Sequence, residues 1–309
     1  MALAQIDPQA TYIDETAVRE QTSLWQDAWR RLRRNRLAYV ASFYLALLAV
    51  VAVVSLFWTP YPYYASPVIV HGHPITFYDP PLKHTILGTD GFARDIFSRL
   101  MVGARISLTV GLGTQVVVIA LGVVLGLLAG YIRGAVDSVI STVINIFYGI
   151  PNLLVALVLV LVVANGKPSI VFIIIAIAVT GWTDMARLVR GQALSLRERE
   201  FVEAAIASGA RRNKVIFGHI LPNSLGPLIV QATFGIPQAI LFEAFLSFLG
   251  LGVPPPTPSW GSMASDGFHA MQIAPFVVLA PTIALSLTLM AFNFLGDGLR
   301  DALDPRQKR

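Results

Sequence analysis

The sequence predicts an all-α integral membrane protein with six transmembrane helices and both termini in the cytoplasm. Three observations carry this reading. Hydrophobic residues make up 55% of the chain and charged residues only 13%, where soluble domains carry about a quarter charged residues. Six apolar runs approach the roughly 20 residues that a helix needs to cross a hydrocarbon core about 30 Å thick. Lys and Arg fall mostly on one side of those runs. An ordinary cytosolic enzyme is thereby excluded. The 309 residues include no Cys, which removes disulfides, thiol catalysis and Cys-ligated metals, and the 24 Gly and 19 Pro follow no three-residue period. The net charge of +5 reads as a topology signal, not as affinity for nucleic acid.

Residues 1–36 are polar and end in the basic cluster Arg30, Arg31, Arg33, Arg34 and Arg36. No short apolar region with a small-residue cleavage site comes first, so this is a cytoplasmic segment, not a signal peptide. The first span covers 37–58. An outer loop follows at 59–105, and its Pro- and Tyr-rich start suits an extended surface segment. That loop sets the first span apart from five others, at 106–132, 139–164, 170–188, 225–249 and 275–295, which form a core over 106–299 ahead of a cytoplasmic tail at 300–309. With the N-terminus inside, 18 of the 23 Lys and Arg are cytoplasmic, and only Lys83, Arg94, Arg99, Arg105 and Lys167 lie outside.

Catalytic apparatus is missing from the sequence. There is no His-Glu-x-x-His, no Gly-x-Ser-x-Gly and no phosphate loop, since Gly166-Lys167 runs into Pro168. The chain is therefore expected to be no enzyme and to hold no nucleotide or metal. His71 and His73 could face one way in an extended segment, but with His84 they read better as solvated loop residues. Each ionisable group at mid-span costs about 2.5–3.5 kcal/mol on insertion scales, and few are present. Asp184 falls near the inner end of the fourth span, three residues before Arg187, where an i,i+3 ion pair is expected. Glu243, toward the outer end of the fifth span, faces a cavity or partners another helix. This scarcity, and the lack of a repeat, argue against a self-sufficient secondary carrier.

Small residues are more telling. Gly122, Gly126 and Gly130 recur every four residues, a smooth stripe that lets another helix approach closely. Gly149-Ile-Pro151, Gly235-Ile-Pro237 and Pro281 fall inside spans, where proline removes a backbone hydrogen bond and permits a kink. Such kinks either line a pathway or are purely structural.

The longest polar interval between spans, 189–222, contains EFVEAAIASGARRNKVI from Glu200 to Ile216. Phe201, Ala204, Ala205 and Ser208 share one side of a short helix that carries Glu203 near its start. Gly209 turns the chain, and Arg211, Arg212 and Lys214 begin a basic second helix that runs to Leu221-Pro222. So short a helix is unstable alone in water, so its exposed face lies on headgroups or is covered by another protein.

These residues carry a resemblance. Glu203-Ala204-Ala205, Gly209 and Ile220-Leu221-Pro222-Asn223 resemble the EAA loop of ABC importer permeases, and His219 to Asn223 resembles its peptide-permease branch. Leu87-Gly88-Thr89-Asp90 with Arg94-Asp95 and Ser98-Arg99 resembles the outer-loop signature of the C-type subunit of dipeptide and oligopeptide importers. Leu246 to Val253 with Pro255, Pro258, Ser259, Trp260 and Gly261 resembles the exit of its fifth span. The likeness covers nearly everything from Arg30 to Pro305, and Ala93 departs from it where the family usually has Gly. It implies an outlying N-terminal helix plus a five-helix permease core in a prokaryotic inner membrane, surrounded by lipid. It also implies a B-type permease partner, two ATPase subunits that bind ATP and Mg, and an extracytoplasmic substrate-binding protein. Glu203, Ala204, Ala205 and Gly209 would be the coupling residues, with Arg211, Arg212 and Lys214 as basic neighbours. Related permeases import nickel, glutathione or opine-like solutes, so cargo stays open at this point.

Overall fold

A computed structural model of the chain describes residues 24–165 and 168–303. Residues 1–23 of the segment expected over 1–36, Lys167 on the outer side and residues 304–309 of the tail expected over 300–309 lie outside the described residues. Helices dominate: α1 Leu24–Arg34, α2 Arg36–Val54, α3 Ile96–Ile132, α4 Gly134–Tyr148, α5 Asn152–Val162, α6 Ile170–Arg197, α7 Glu200–Ala207, α8 Arg212–Val215, α9 Leu221–Phe248, α10 Trp260–His269 and α11 Pro275–Leu303. A π turn at Ile216–Ile220 joins α8 to α9, and a two-stranded hairpin pairs β1 Ile69–Val70 with β2 His73–Pro74. Among the described residues five helices are long and apolar enough to cross a membrane; α4 and α5 add a sixth if that bent pair counts as one span.

Starts are set by polar caps. The side chains of Asn35, Asp95 and Ser169 accept hydrogen bonds from Ala38 N, Ser98 N and Phe172 N, satisfying amides that the first turns of α2, α3 and α6 leave free. Asp95 explains why α3 begins ten residues before the span expected at 106. Residues 96–105 carry Arg99 and Arg105, which an apolar-run reading assigns to the loop.

The packing partners fix helix directions. A Cβ on Gly113 would meet Ile174, one on Gly122 would lie 2.6 Å from Met185 Cβ, and one on Gly130 2.7 Å from Ala193 Cβ. Residue numbers rise together, so α3 and α6 run parallel. Gly111 against Ile240 and Gly235 against Gln115 make α9 antiparallel to α3. Gly296 against Phe234 and Gly226 against Leu303 make α11 antiparallel to α9. Gly298 against Ala38, with Tyr44 hydrogen-bonded to Thr288, makes α2 antiparallel to α11. One end of the bundle therefore gathers α1, the α3–α4 turn at Arg133, the segment from Arg197 to Lys214 and the end of α11. The N-terminal basic stretch is itself helical, and Leu32 is buried against α11.

The opposite end carries the first loop, which is folded, not the extended surface segment expected. Val68, Val70 and Ile75 make a small core. Asp90 accepts from Phe92 N, Arg94 N and Arg94 Nε at 2.8–3.0 Å, and Arg94 reaches on to Asp266 at 3.0 Å. Arg99 is buried beside the same two carboxylates. α10 closes this end, with Trp260 Nε1 donating to Leu100 O at 3.2 Å and Gly261 against the Ala244 backbone.

Ala93 holds φ +55°. A Cβ in the left-handed region costs about 1–2 kcal/mol, while Gly loses about 0.5–1 kcal/mol more chain entropy on folding. The difference of about 0–1.5 kcal/mol is offset by loss of the buried Ala93 methyl, worth about 0.8 kcal/mol, so Ala93→Gly is expected to leave the thermal midpoint in detergent close to that of the native chain.

Asp79 is 2% exposed in this loop. Burial pushes its carboxyl upward, but hydrogen bonds from His84 Nδ1 at 2.9 Å and Lys83 Nζ at 3.1 Å outweigh that and hold it below the ordinary 3.8. A carboxyl with a lowered folded-state pKa binds fewer protons when folded, so its contribution is complete above the ordinary value and fades as pH falls through the lowered one. Acid titration of loop unfolding should show this loss in the native chain and not in Asp79→Asn.

Candidate functional site

Two regions of the bundle stand out, the helical elbow at one end and a polar cavity at mid-depth. In the elbow, α7 is eight residues long and ends where Gly209 takes φ +79°, with Ala210 N bonded back to Ala205 O at 3.0 Å and Gly209 N to Ile206 O at 2.9 Å. This is the 6→1 closure that a left-handed residue allows. Nothing lies within 4 Å of a Cβ built there, so backbone conformation alone selects Gly.

One residue of α7 anchors it. Val202 is 0% exposed and shares a core with Val189, Ala193, Leu127, Val215 and Ile220. The rest faces outward: Phe201 is 43% and Ile206 45% exposed, Glu203, Ala204 and Ser208 are exposed, and Ala205 is half-buried. Glu203 has no ion-pair or hydrogen-bonded side-chain partner among the described residues. Arg211, Arg212 and Lys214 are exposed too, but Arg212 is not simply a free cation. It lies 5.3 Å from the Tyr131 ring centre, as does Arg197, which also donates to Tyr131 O at 2.8 Å. The basic second helix does not stop at Leu221-Pro222 as expected. A π turn shifts the hydrogen-bond register ahead of Pro222, which has no N–H to give, and α9 continues directly into the membrane.

The glycine stripe of α3 packs against α6. A Cβ on Gly126 would sit 2.6 Å from Ala186 O and one on Gly130 2.7 Å from Arg190 O, so backbone meets backbone there. Of the three proline sites, only Pro151 interrupts a helix: α4 and α5 meet at 85° across Gly149–Pro151. α9 and α11 run on through Pro237 and Pro281, and through Pro227, which the sequence reading did not single out.

The charged groups within spans have partners that the sequence alone did not reveal. Asp184 makes no ion pair with Arg187. The Tyr148 hydroxyl donates to Asp184 Oδ1, and the Arg187 guanidinium stacks 3.8 Å above the Tyr148 ring centre. Because α6 extends to Arg197, Asp184 lies near the middle of a 28-residue helix and not at its inner end. Glu243 is fully buried and partners another helix; Ser247 and Ser107 hydroxyls donate to it at 2.6 and 3.2 Å, and Ser259 joins through Ser247 at 3.1 Å. Asp137 and Arg190 form a two-point pair between α4 and α6 that was not foreseen. Among the described residues no cluster of three or more His, Asp or Glu could hold a metal ion.

Asp184, Asn152, Thr114, Gln115, Gln231 and Gln238 line a cavity beside the break in the third span. Long apolar helices around a polar cavity, with a helical elbow at one end, are the build of a membrane transport subunit. Comparison with known proteins sharpens this. Residues 122–309 match the binding-protein-dependent transport system inner membrane component family, and residues 23–81 match the N-terminal transmembrane domain of oligopeptide transport permease C. The chain belongs to this family of inner-membrane transport components. It is 39% identical over 295 residues to the oligopeptide transport system permease protein OppC of Bacillus subtilis (strain 168), covering 96% of this chain and 94% of that one. It is 42% identical over 296 residues to the dipeptide transport system permease protein DppC of the same organism, covering 96% and 90%. Identity to the glutathione transport system permease protein GsiD of Escherichia coli O1:K1 / APEC is 41% over 287 residues, covering 92% and 91%. Among solved structures, a chain of the MetNI methionine ABC transporter in an inward-facing conformation superposes with a TM-score of 0.55 at 19% identity, covering 67% of this chain and 96% of that one. That likeness concerns the fold alone.

Proposed function

We propose that this chain is the C-type pathway subunit of an ATP-driven importer of di- and oligopeptides. The observation that carries the reading is near full-length identity of 39–42% to permeases named for oligopeptide and dipeptide transport. Glutathione import is the second reading, supported by the 41% identity to a glutathione permease.

The packing supports six crossings. Parallel α3 and α6 require the chain to return across the bundle between them, and α4 with α5 is the segment available to do so. The end bearing the elbow also bears Arg30, Arg33, Arg34, Arg133, Arg199, Arg211 and Lys214, and the positive-inside rule makes it cytoplasmic, along with both termini. At the other end the cations among the described residues are tied up: Lys83 by Asp79, Arg94 and Arg99 by Asp90 and Asp266, and Arg105 by Ser55 O.

In this arrangement a B-type permease subunit completes the pathway, an extracytoplasmic binding protein delivers cargo, and two ATPase subunits bind and hydrolyse ATP with Mg. The exposed face of α7 seats in a cleft of one ATPase, with Glu203, Ala204 and Ala205 in contact and Gly209 shaping the turn. Arg211 and Lys214 are placed to meet acidic groups on that subunit. A displacement of α7 passes through Val202 into the core shared with α3 and α6, so cleft movement becomes helix movement. The test is transport in proteoliposomes holding the complete complex, with ATP on the elbow side. ATP- and binding-protein-dependent uptake of dialanine or trialanine is expected. Preference for glutathione would favour the second reading, and uptake by this chain alone under an ion gradient would overturn both.

A further inference from the structure

The break in the third span leaves a carboxylate without a cation on an exposed face of the bundle, at the mouth of the polar cavity. Asp184 stands near the middle of α6, and the cavity it lines also touches the start of α5. Among the described residues it has no cationic partner; its one hydrogen bond comes from Tyr148, which Arg187 covers on a ring face. Pro151 supplies no side-chain cap to α5, and Pro151 and Asn152, at the positive end of that 11-residue helix, line the same space as Asp184.

The surroundings are built for a polar visitor. Thr114 is 1% exposed, lines this cavity, and its hydroxyl has no hydrogen-bond partner. The side chains of Gln115, Gln231 and Gln238 also make no hydrogen bond among the described residues, although Gln115 is 8% exposed. A Cβ on Gly235 would lie 2.4 Å from Gln115 Nε2, so this glycine lets the amide reach across to α9. Unpaired polar groups at mid-span are costly unless water or a ligand meets them.

We infer that Asp184 is the binding point for the peptide's α-ammonium group as it passes the mid-depth of the bundle. The inference rests on the peptide-import reading above. A carboxylate that meets a phenol and a helix end but no cation lacks what a free amino terminus brings: a compact cation with three donors. Thr114 and the glutamines offer donors and acceptors to the peptide group next to it, independent of side-chain identity. That suits a passage for varied peptides whose common feature is the terminus.

The test uses the full complex with its binding protein, reconstituted and supplied with saturating trialanine-loaded binding protein. Asp184→Asn is expected to lower trialanine imported per ATP hydrolysed about tenfold, the size of one charged hydrogen bond, and Asp184→Glu to restore most of it. The chain has no Cys, so Gln238→Cys reports directly on the cavity. A cationic methanethiosulfonate should label it at least about threefold faster than an anionic one, and adding Asp184→Asn should erase the preference. Equal uptake by wild type and Asp184→Asn overturns the inference alone. Loss of the partner permease subunit from the purified Asp184→Asn complex also overturns it, assigning the carboxylate to a cation of that subunit. Failure of Gln238→Cys to react with either reagent does the same. A wild-type complex that imports no trialanine overturns the peptide reading, and the inference with it.

Discussion

Glu203→Lys is expected to abolish peptide uptake while the chain still inserts and co-purifies with its partners. Glu203 lies in the first turn of α7 on the face turned away from the body, where its carboxylate meets no cation among the described residues. Breaking a charge pair at a closed interface costs about 2–5 kcal/mol, and reversal adds repulsion, so uptake should fall at least about tenfold. Gly209→Val should act through geometry. A β-branched side chain at φ +79° is strained by at least about 1–2 kcal/mol, which opens the closure from Ala210 N to Ala205 O and tilts α7. ATP hydrolysis and uptake are measured together in proteoliposomes. Both variants should hydrolyse ATP without proportionate import, and wild-type uptake by both would remove the coupling role from α7. Val202 stays untouched in each, so loss of the whole fold is not the expected route.

What the sequence made legible follows from what sets each element. Long apolar runs located the membrane helices because burial in lipid needs little beyond composition. Their ends were less visible. α3 starts at Ile96 because Asp95 caps it, and Arg99 can enter the helix because Asp90 and Asp266, far apart in sequence, neutralise it. α10 was missed altogether. It is ten residues long, too short and too polar for an apolar-run reading, yet Ser259 and Ser262 cap each other reciprocally at its start. A capping box is usually sought with Glu or Gln at the third position; with Ser there the signal passed as loop.

The elbow was legible through its turn and its exposed face, but its attachment was not. Val202 as the anchor depends on a pocket built from α3, α6 and α8, which no local pattern encodes. Asp184 was misplaced for a related reason. Its nearest charge in sequence is Arg187, yet the 85° break at Pro151 brings Tyr148 between them and leaves the carboxylate free for the cavity.

The largest structural effect is expected where helices touch backbone to backbone. On Gly126 a Val would place its Cβ 2.6 Å from Ala186 O and 2.7 Å from Val189 Cβ, and both residues are fully buried. No flexible side chain can swing away, so α3 and α6 must separate. Overpacking typically costs about 1–3 kcal/mol, and a rigid backbone neighbour places this case at or above the upper end. Gly191→Ala on α6 is the matched control, because a Cβ there meets nothing within 4 Å. Helix propensity then predicts a gain of up to about 1 kcal/mol. Thermal midpoints and gel-filtration profiles in detergent should separate the two, with Gly126→Val unfolded or aggregated and Gly191→Ala equal to or above wild type. The same stripe abuts the core that holds Val202. Gly126→Ala sets a Cβ at the same 2.6 Å from Ala186 O, so it too must shift α6 and is expected to lower the thermal midpoint, by less than the larger Val; any loss of coupling it brings reaches the elbow through the bundle, because no residue that an ATPase could touch is altered.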